Sequence, residues 1–195
     1  MSNDTNPSTR LARIGSTLLL IPALNLVGLI LVHIGMKGFA KHYNNDSIYR
    51  KAAVGTAFGM IGLIVMDVSV IFTFIVYIFA SVPADSATSI VFVPFALGVI
   101  VTFGFISLMA LCYRIAFHSL ADCSNEPLFN VAGNIFLIGA VLPVLCNILF
   151  FVLIPILQIE LNPIIPIIVL FSGLITVCIA FIIMAIAFSS LKQTR

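Results

Sequence analysis

The chain has little charge and no tryptophan. Only 8% of its 195 residues are charged, against 62% hydrophobic, and the mean hydropathy is +1.24. A soluble domain carries about 25% charged residues. So few polar side chains cannot coat a globule of this size in water, which excludes a free-standing soluble domain. The net charge is only +2, with no basic tract, so nucleic acid is excluded as a partner. The four cysteines, Cys112, Cys123, Cys146 and Cys178, include no Cys-x-x-Cys pair. Neither a disulfide framework nor a zinc site is indicated, and each reads as a small hydrophobe. The three histidines, His33, His42 and His118, show no His-x-x-x-His spacing and read as solvated groups near one membrane face. Also missing are His-Glu-x-x-His, Gly-x-Ser-x-Gly, a phosphate-binding glycine loop and paired intramembrane aspartates. Polar segments no longer than residues 114–130 leave no room for a soluble catalytic domain. No enzyme activity, metal or cofactor is expected.

What the chain does have is long apolar runs. Crossing a hydrocarbon core of about 30 Å takes roughly 20 helical residues, and five segments reach that length: 14–34, 53–80, 90–113, 131–154 and 164–188. The alternation over segments of about 10 residues that marks a membrane barrel is missing. Short connections make successive helices antiparallel neighbours. The expected fold is therefore an all-α integral membrane bundle of five spans, one domain over 1–195, with the lipid bilayer as its main partner. Residues 1–13 carry Arg10 and Arg13 ahead of an apolar run, like a signal peptide. That run is too long for a signal core, so a retained first span is expected.

Five crossings put Lys37, Lys41, Arg50, Lys51, Arg114, Lys192 and Arg195 on one side, and only Arg10 and Arg13 on the other. The positive-inside rule then places the N-terminus outside the cell membrane and the C-terminus in the cytoplasm. There is one alternative. Pro22 and Asn25 interrupt the first segment, and a segment that turned back there would put all nine basic residues on one side. Irregular backbone at that depth needs protein or water around it, so the continuous span is the expectation.

An internal repeat is also legible. Asn45-Asp46-Ser47-Ile48-Tyr49, followed by Ala52 and Gly59, aligns with Asn125-Glu126-Pro127-Leu128-Phe129, followed by Ala132 and Gly139. Upstream, Gly38-Phe39-Ala40-Lys41 aligns with Ser119-Leu120-Ala121-Asp122 after one gap. Two related helical hairpins plus a fifth helix would account for this, a construction common among transporters. Asp46 or Ser47 is expected to cap the helix that enters the second span.

Several stretches together resemble a known family. They are Arg13-Ile14-Gly15-Ser16-Thr17-Leu18-Leu19-Leu20, Val27-Gly28-Leu29-Ile30-Leu31-Val32, Lys37-Gly38, and Tyr43 with Asp46-Ser47-Ile48-Tyr49. The second half adds Leu120-Ala121, Leu128-Phe129, Ala132-Gly133, Leu137-Ile138-Gly139-Ala140 and Ala185-Ile186-Ala187-Phe188-Ser189-Ser190-Leu191. The chain thus resembles the prokaryotic, largely archaeal, membrane-protein family called domain of unknown function 996. Asn125-Glu126-Pro127 stands where a glycine-containing turn would be expected. The resemblance implies topology and carries no activity.

Asp67 is the one charged-type residue deep inside an apolar segment. Such a residue costs about 2.5–3.5 kcal/mol on insertion scales and is a functional candidate by default. No Lys or Arg lies at its depth. It must therefore be neutral, hydrated, bound to a cation, or hydrogen-bonded to polar groups such as Asn25, Asn134, Asn147, Ser172 or Thr176. Gly55, Gly59 and Gly62 on the same helix permit close helix packing. Pro22, Pro94, Pro143 and Pro166 read as kinks. The leading expectation is a non-enzymatic accessory or scaffold component of the membrane, with a protein partner or self-association. The alternative is a small transporter or channel using Asp67 as a proton or cation site.

Overall fold

The computed structural model describes residues 7–21, 24–79, 84–148 and 164–191. Among the described residues six helices follow in order: α1 (Pro7–Leu18), α2 (Asn25–His42), α3 (Asp46–Phe79), α4 (Ala84–Ser124), α5 (Leu128–Ile148) and α6 (Ile164–Ser190). A backbone in lipid must satisfy its own polar groups, which makes helices the local outcome of such a composition.

The expected first span is not one helix. It is two, α1 and α2, folded antiparallel, so that Gly15 lies against Gly28, Gly35 against Ala12, and Gly38 against Ser8. α1 ends at Leu18 and α2 starts at Asn25, on either side of Pro22 in the sequence, and a proline cannot donate the N–H that a continuous helix would need there. Glycine and alanine on both strands of the hairpin let the two backbones meet at van der Waals distance. Among the described residues, four helices are long and apolar enough to cross a membrane, containing Asp46–Val76, Leu97–Ser124, Leu128–Cys146 and Phe171–Ser190. The expected count of five is not reached among the described residues. Residues 149–154 of the expected fourth span lie outside the described residues.

The helices form a closed ring. α1 packs on α2, α2 on α3, α3 on α4, α4 on α5, α5 on α6, and α6 back on α1. The hairpin is thus the wedge that separates α3 from α6. One end of the ring holds the start of α1, both interhelical turns and the end of α6. There Asn45 Nδ2 donates to Cys123 Sγ at 3.5 Å, and Ser190 Oγ donates to Glu126 Oε2 at 2.7 Å. Every Lys and Arg in the described residues lies in the half of the ring nearer this end, with Arg13 and Arg114 the deepest. The interior at this end is aromatic: Phe39 stacks on Phe188, and Phe129 meets Phe188 edge-on, with ring centroids 5.5 and 5.0 Å apart. All three rings are buried, so this cluster ties α2, α5 and α6 together.

The two turns are built alike. α2 ends in a Schellman motif: Asn44 is left-handed at φ 49, the Asn45 N–H donates to the Ala40 carbonyl at 2.9 Å, and the Asn44 N–H to the Lys41 carbonyl at 3.4 Å. α4 ends at Asn125, also left-handed at φ 55. The asparagine matching Asn125 is therefore Asn44, one position before the alignment by sequence. The helix cap differs from expectation too, because the Ser47 N–H donates to Asn45 Oδ1 at 3.1 Å, which makes Asn45 the cap. Before the turns Val32 and Tyr113, Met36 and Phe117, Phe39 and Leu120, and Ala40 and Ala121 occupy matching buried positions; after them Ala52 matches Ala132.

Candidate functional site

The hairpin ends inside the bundle. From Arg13 to Ile21 it reaches about 12 Å along the helix axis, against about 15 Å for half a hydrocarbon core. The described residues around its tip are joined by backbone hydrogen bonds. The Leu20 N–H donates to the Thr17 carbonyl, Ile21 to Leu18, and Leu24 to Ile21, at 3.1, 3.0 and 2.8 Å. With its amide nitrogen turned toward the tip, Asn25 donates to the carbonyls of Ile21 and Leu19 at 3.1 and 2.8 Å. A side-chain amide supplies what water would supply in solution.

A cavity of about 280 Å³ lies at this tip. Leu19, Leu20 and Asn25 line it from the hairpin, Gly59 and Leu63 from α3, Phe103 and Ile106 from α4, Phe136 from α5, and Leu174 and Cys178 from α6. Among its described lining residues Asn25 is the one polar side chain apart from the Cys178 thiol. The cavity exists because the wedge between α3 and α6 stops halfway.

The same truncation exposes one sector of α3. Against α2 this sector holds Tyr49, whose ring meets His33 with centroids 5.2 Å apart, then Thr56, whose hydroxyl lies 3.3 Å from His33 Nδ1. Leu63, at the cavity, continues it. One turn further, where α2 has ended, come Asp67, Val70 and Phe74, all exposed. Residues four apart share a helix face, so Asp67 stands on the wall that Leu63 begins. Gly55 lies beside Cys112 and Tyr113, level with Arg114. Asp67, twelve residues on, is about 18 Å from that level.

Asp67 has no hydrogen-bond or ion-pair partner among the described residues. Asn25 is engaged with the tip carbonyls. Asn134 Oδ1 accepts from Arg114 Nε at 2.7 Å, on the outer face where α4 meets α5. One turn nearer the turn, Asn130 Oδ1 lies 2.8 Å from His118 Nδ1. The side chain of Asn147 lies outside the described set. Thr176 Oγ1 donates to the Ser172 carbonyl at 2.8 Å. Gly55, Gly59 and Gly62 lie on the α4 side of α3, against Tyr113, Met109 and Phe105. Among the described residues no three His, Cys, Asp or Glu side chains gather where they could hold a metal ion.

A second polar group lies deep between α2, α3 and α4, unsuspected from the sequence. Thr56 Oγ1 donates to the Ala52 carbonyl at 2.8 Å, and the Tyr113 hydroxyl lies 2.8 Å from the same oxygen. With the Thr56 proton committed to Ala52, both Tyr113 and His33 donate to Thr56. Nothing local signals this joint, because Thr56 is 57 residues from Tyr113 and 23 from His33. The Thr73 and Thr102 hydroxyls are also buried, without a partner among the described residues.

The family described as protein of unknown function, DUF996, matches residues 24–156. The match begins at the tip of the hairpin and runs through α5. No curated protein and no solved structure matches the chain.

Proposed function

The chain belongs to the DUF996 family, and from that premise we propose that it is a non-enzymatic membrane protein that binds a hydrophobic molecule at mid-membrane depth. Four helices cross the bilayer, and the α1–α2 hairpin enters from the cytoplasmic face and returns to it. Both chain ends and all nine Lys and Arg then face the cytoplasm, the arrangement the positive-inside rule favours. The observation that carries the reading is the cavity of about 280 Å³ capped by the hairpin tip, with the half-exposed Leu174 of α6 in its lining. Lipid-soluble molecules reach such a site without crossing a headgroup layer. Breaks in the helix pattern at the midplane are where membrane proteins build binding sites, and apolar concavities with few polar groups are the usual small-molecule sites.

Photolabelling tests this reading. A hydrophobic diazirine probe in nanodiscs should label residues around Leu63, Ile106 and Leu174. Leu174→Trp, at a cavity position that is also half exposed, should abolish that labelling while leaving the protein monodisperse. Equal labelling of wild type and variant would refute the cavity as a site.

A second reading retains the accessory role and rests on a different feature, the uncovered stripe of Asp67, Val70 and Phe74. A helix of another membrane protein, or of a second copy, would cover it and give Asp67 a polar partner. Cross-linking from Phe74→Cys to a co-purifying chain would support it; isolation as a lone monomer with no stable partner would count against it.

A further inference from the structure

We infer that the molecule held at the hairpin tip is an amphiphilic organic cation, its apolar body in the cavity and its charged head on Asp67. The inference rests on the cavity being a binding site, as proposed above. Leu63 lines the cavity, and Asp67 stands one turn beyond it on the same face, about 6 Å along the axis. Asp67 is exposed and has no hydrogen-bond or ion-pair partner among the described residues. Every described Lys and Arg, Arg13 and Arg114 included, has its backbone roughly 15 Å or more nearer the turn end of the bundle, beyond ion-pair distance. A cation is the ligand charge this surface lacks, and in a low-dielectric gap that attraction is strong.

The cavity selects against the other ligand classes. Its one amide N–H group, that of Asn25, is committed to the carbonyls of Ile21 and Leu19, so an anionic head finds no donor. A bare metal cation needs several oxygen ligands, and no such cluster forms among the described residues. An organic cation needs one counter-charge and apolar contact, and both are present. The cavity has room for roughly nine water-sized groups, which suits an alkyl chain or a small ring system.

The test is equilibrium binding to the full-length protein in phosphatidylcholine nanodiscs, corrected for partition into empty discs. Decyltrimethylammonium, decanol and decanoate serve as the cationic, neutral and anionic probes. Decyltrimethylammonium should bind tightest and decanoate least. Asp67→Asn should weaken the cation by about tenfold or more, through loss of a close charge pair, and leave decanol unchanged; Asp67→Glu should keep most of the cation affinity. Leu174→Trp should abolish binding of both cation and alcohol. Cation affinity unchanged in Asp67→Asn, or decanoate bound as tightly as the cation, overturns this inference and leaves the cavity site standing, provided Leu174→Trp still abolishes decanol binding. No saturable binding of any probe overturns the site as well.

Discussion

Gly15 and Gly28 face each other across the α1–α2 hairpin so closely that a Cβ on either would lie 2.7 Å from the other's carbonyl oxygen. The atoms that would have to move are backbone atoms of the partner helix, so relief means separating the two helices. This contact holds together the hairpin whose end leaves the cavity and the exposed Asp67.

Gly28→Ala and Gly15→Ala should therefore each destabilise the protein, by about 1–3 kcal/mol, the usual cost of overpacking. Thermal unfolding in detergent, followed by circular dichroism, measures it. Gly104 supplies the control, since a Cβ there meets nothing within 4 Å. Gly104→Ala should match or exceed wild type, because alanine is the better helix former. Equal melting of all three variants would mean that the helices do not meet at the glycines.

The same substitution should have opposite signs at two buried threonines. Thr56→Val removes the oxygen that accepts from Tyr113 and His33, leaving the Tyr113 hydroxyl, 1% exposed, without a partner. A buried polar group left unpaired costs about 1–3 kcal/mol. Thr102 has no partner to lose, so Thr102→Val should be neutral or stabilising. A lower melting point for Thr102→Val than for Thr56→Val would contradict the bonding described here.

The topology predicts that Pro7 and Ser47, both exposed, face the same compartment. In a variant without the four native cysteines, Pro7→Cys and Ser47→Cys should both react with an impermeant maleimide in inside-out vesicles and neither in intact cells. Labelling of the two from opposite sides would restore a crossing first segment.

Much of the fold is legible residue by residue. The apolar runs that become α3, α4, α5 and α6 are visible in composition alone, and the two asparagine turns are visible as a repeat. The weakness of the first segment is visible too, at Pro22 and Asn25. Its outcome is not, because a segment of that length is equally apolar whether it crosses or turns back. The glycines that decide it, Gly15, Gly28, Gly35 and Gly38, carry no hydropathy signal. The candidate site divides in the same way. Asp67 stands out because its charge is anomalous where it occurs. Its surroundings do not, because residue type cannot distribute hydrogen bonds. Asn25 and Asn134 are plausible partners by type, yet one caps the hairpin tip and the other holds Arg114.

The sequence by itself determined the medium and the local structure. Hydropathy sums along the chain, and a helix satisfies its backbone with neighbours four residues away, so both are read from short windows. Only the tertiary structure decided that α1 and α2 fold back, that a cavity opens where they end, and that Asp67 borders it. Those depend on contacts between residues far apart in sequence, whose energies rest on shape and distance, and no window along the chain contains them.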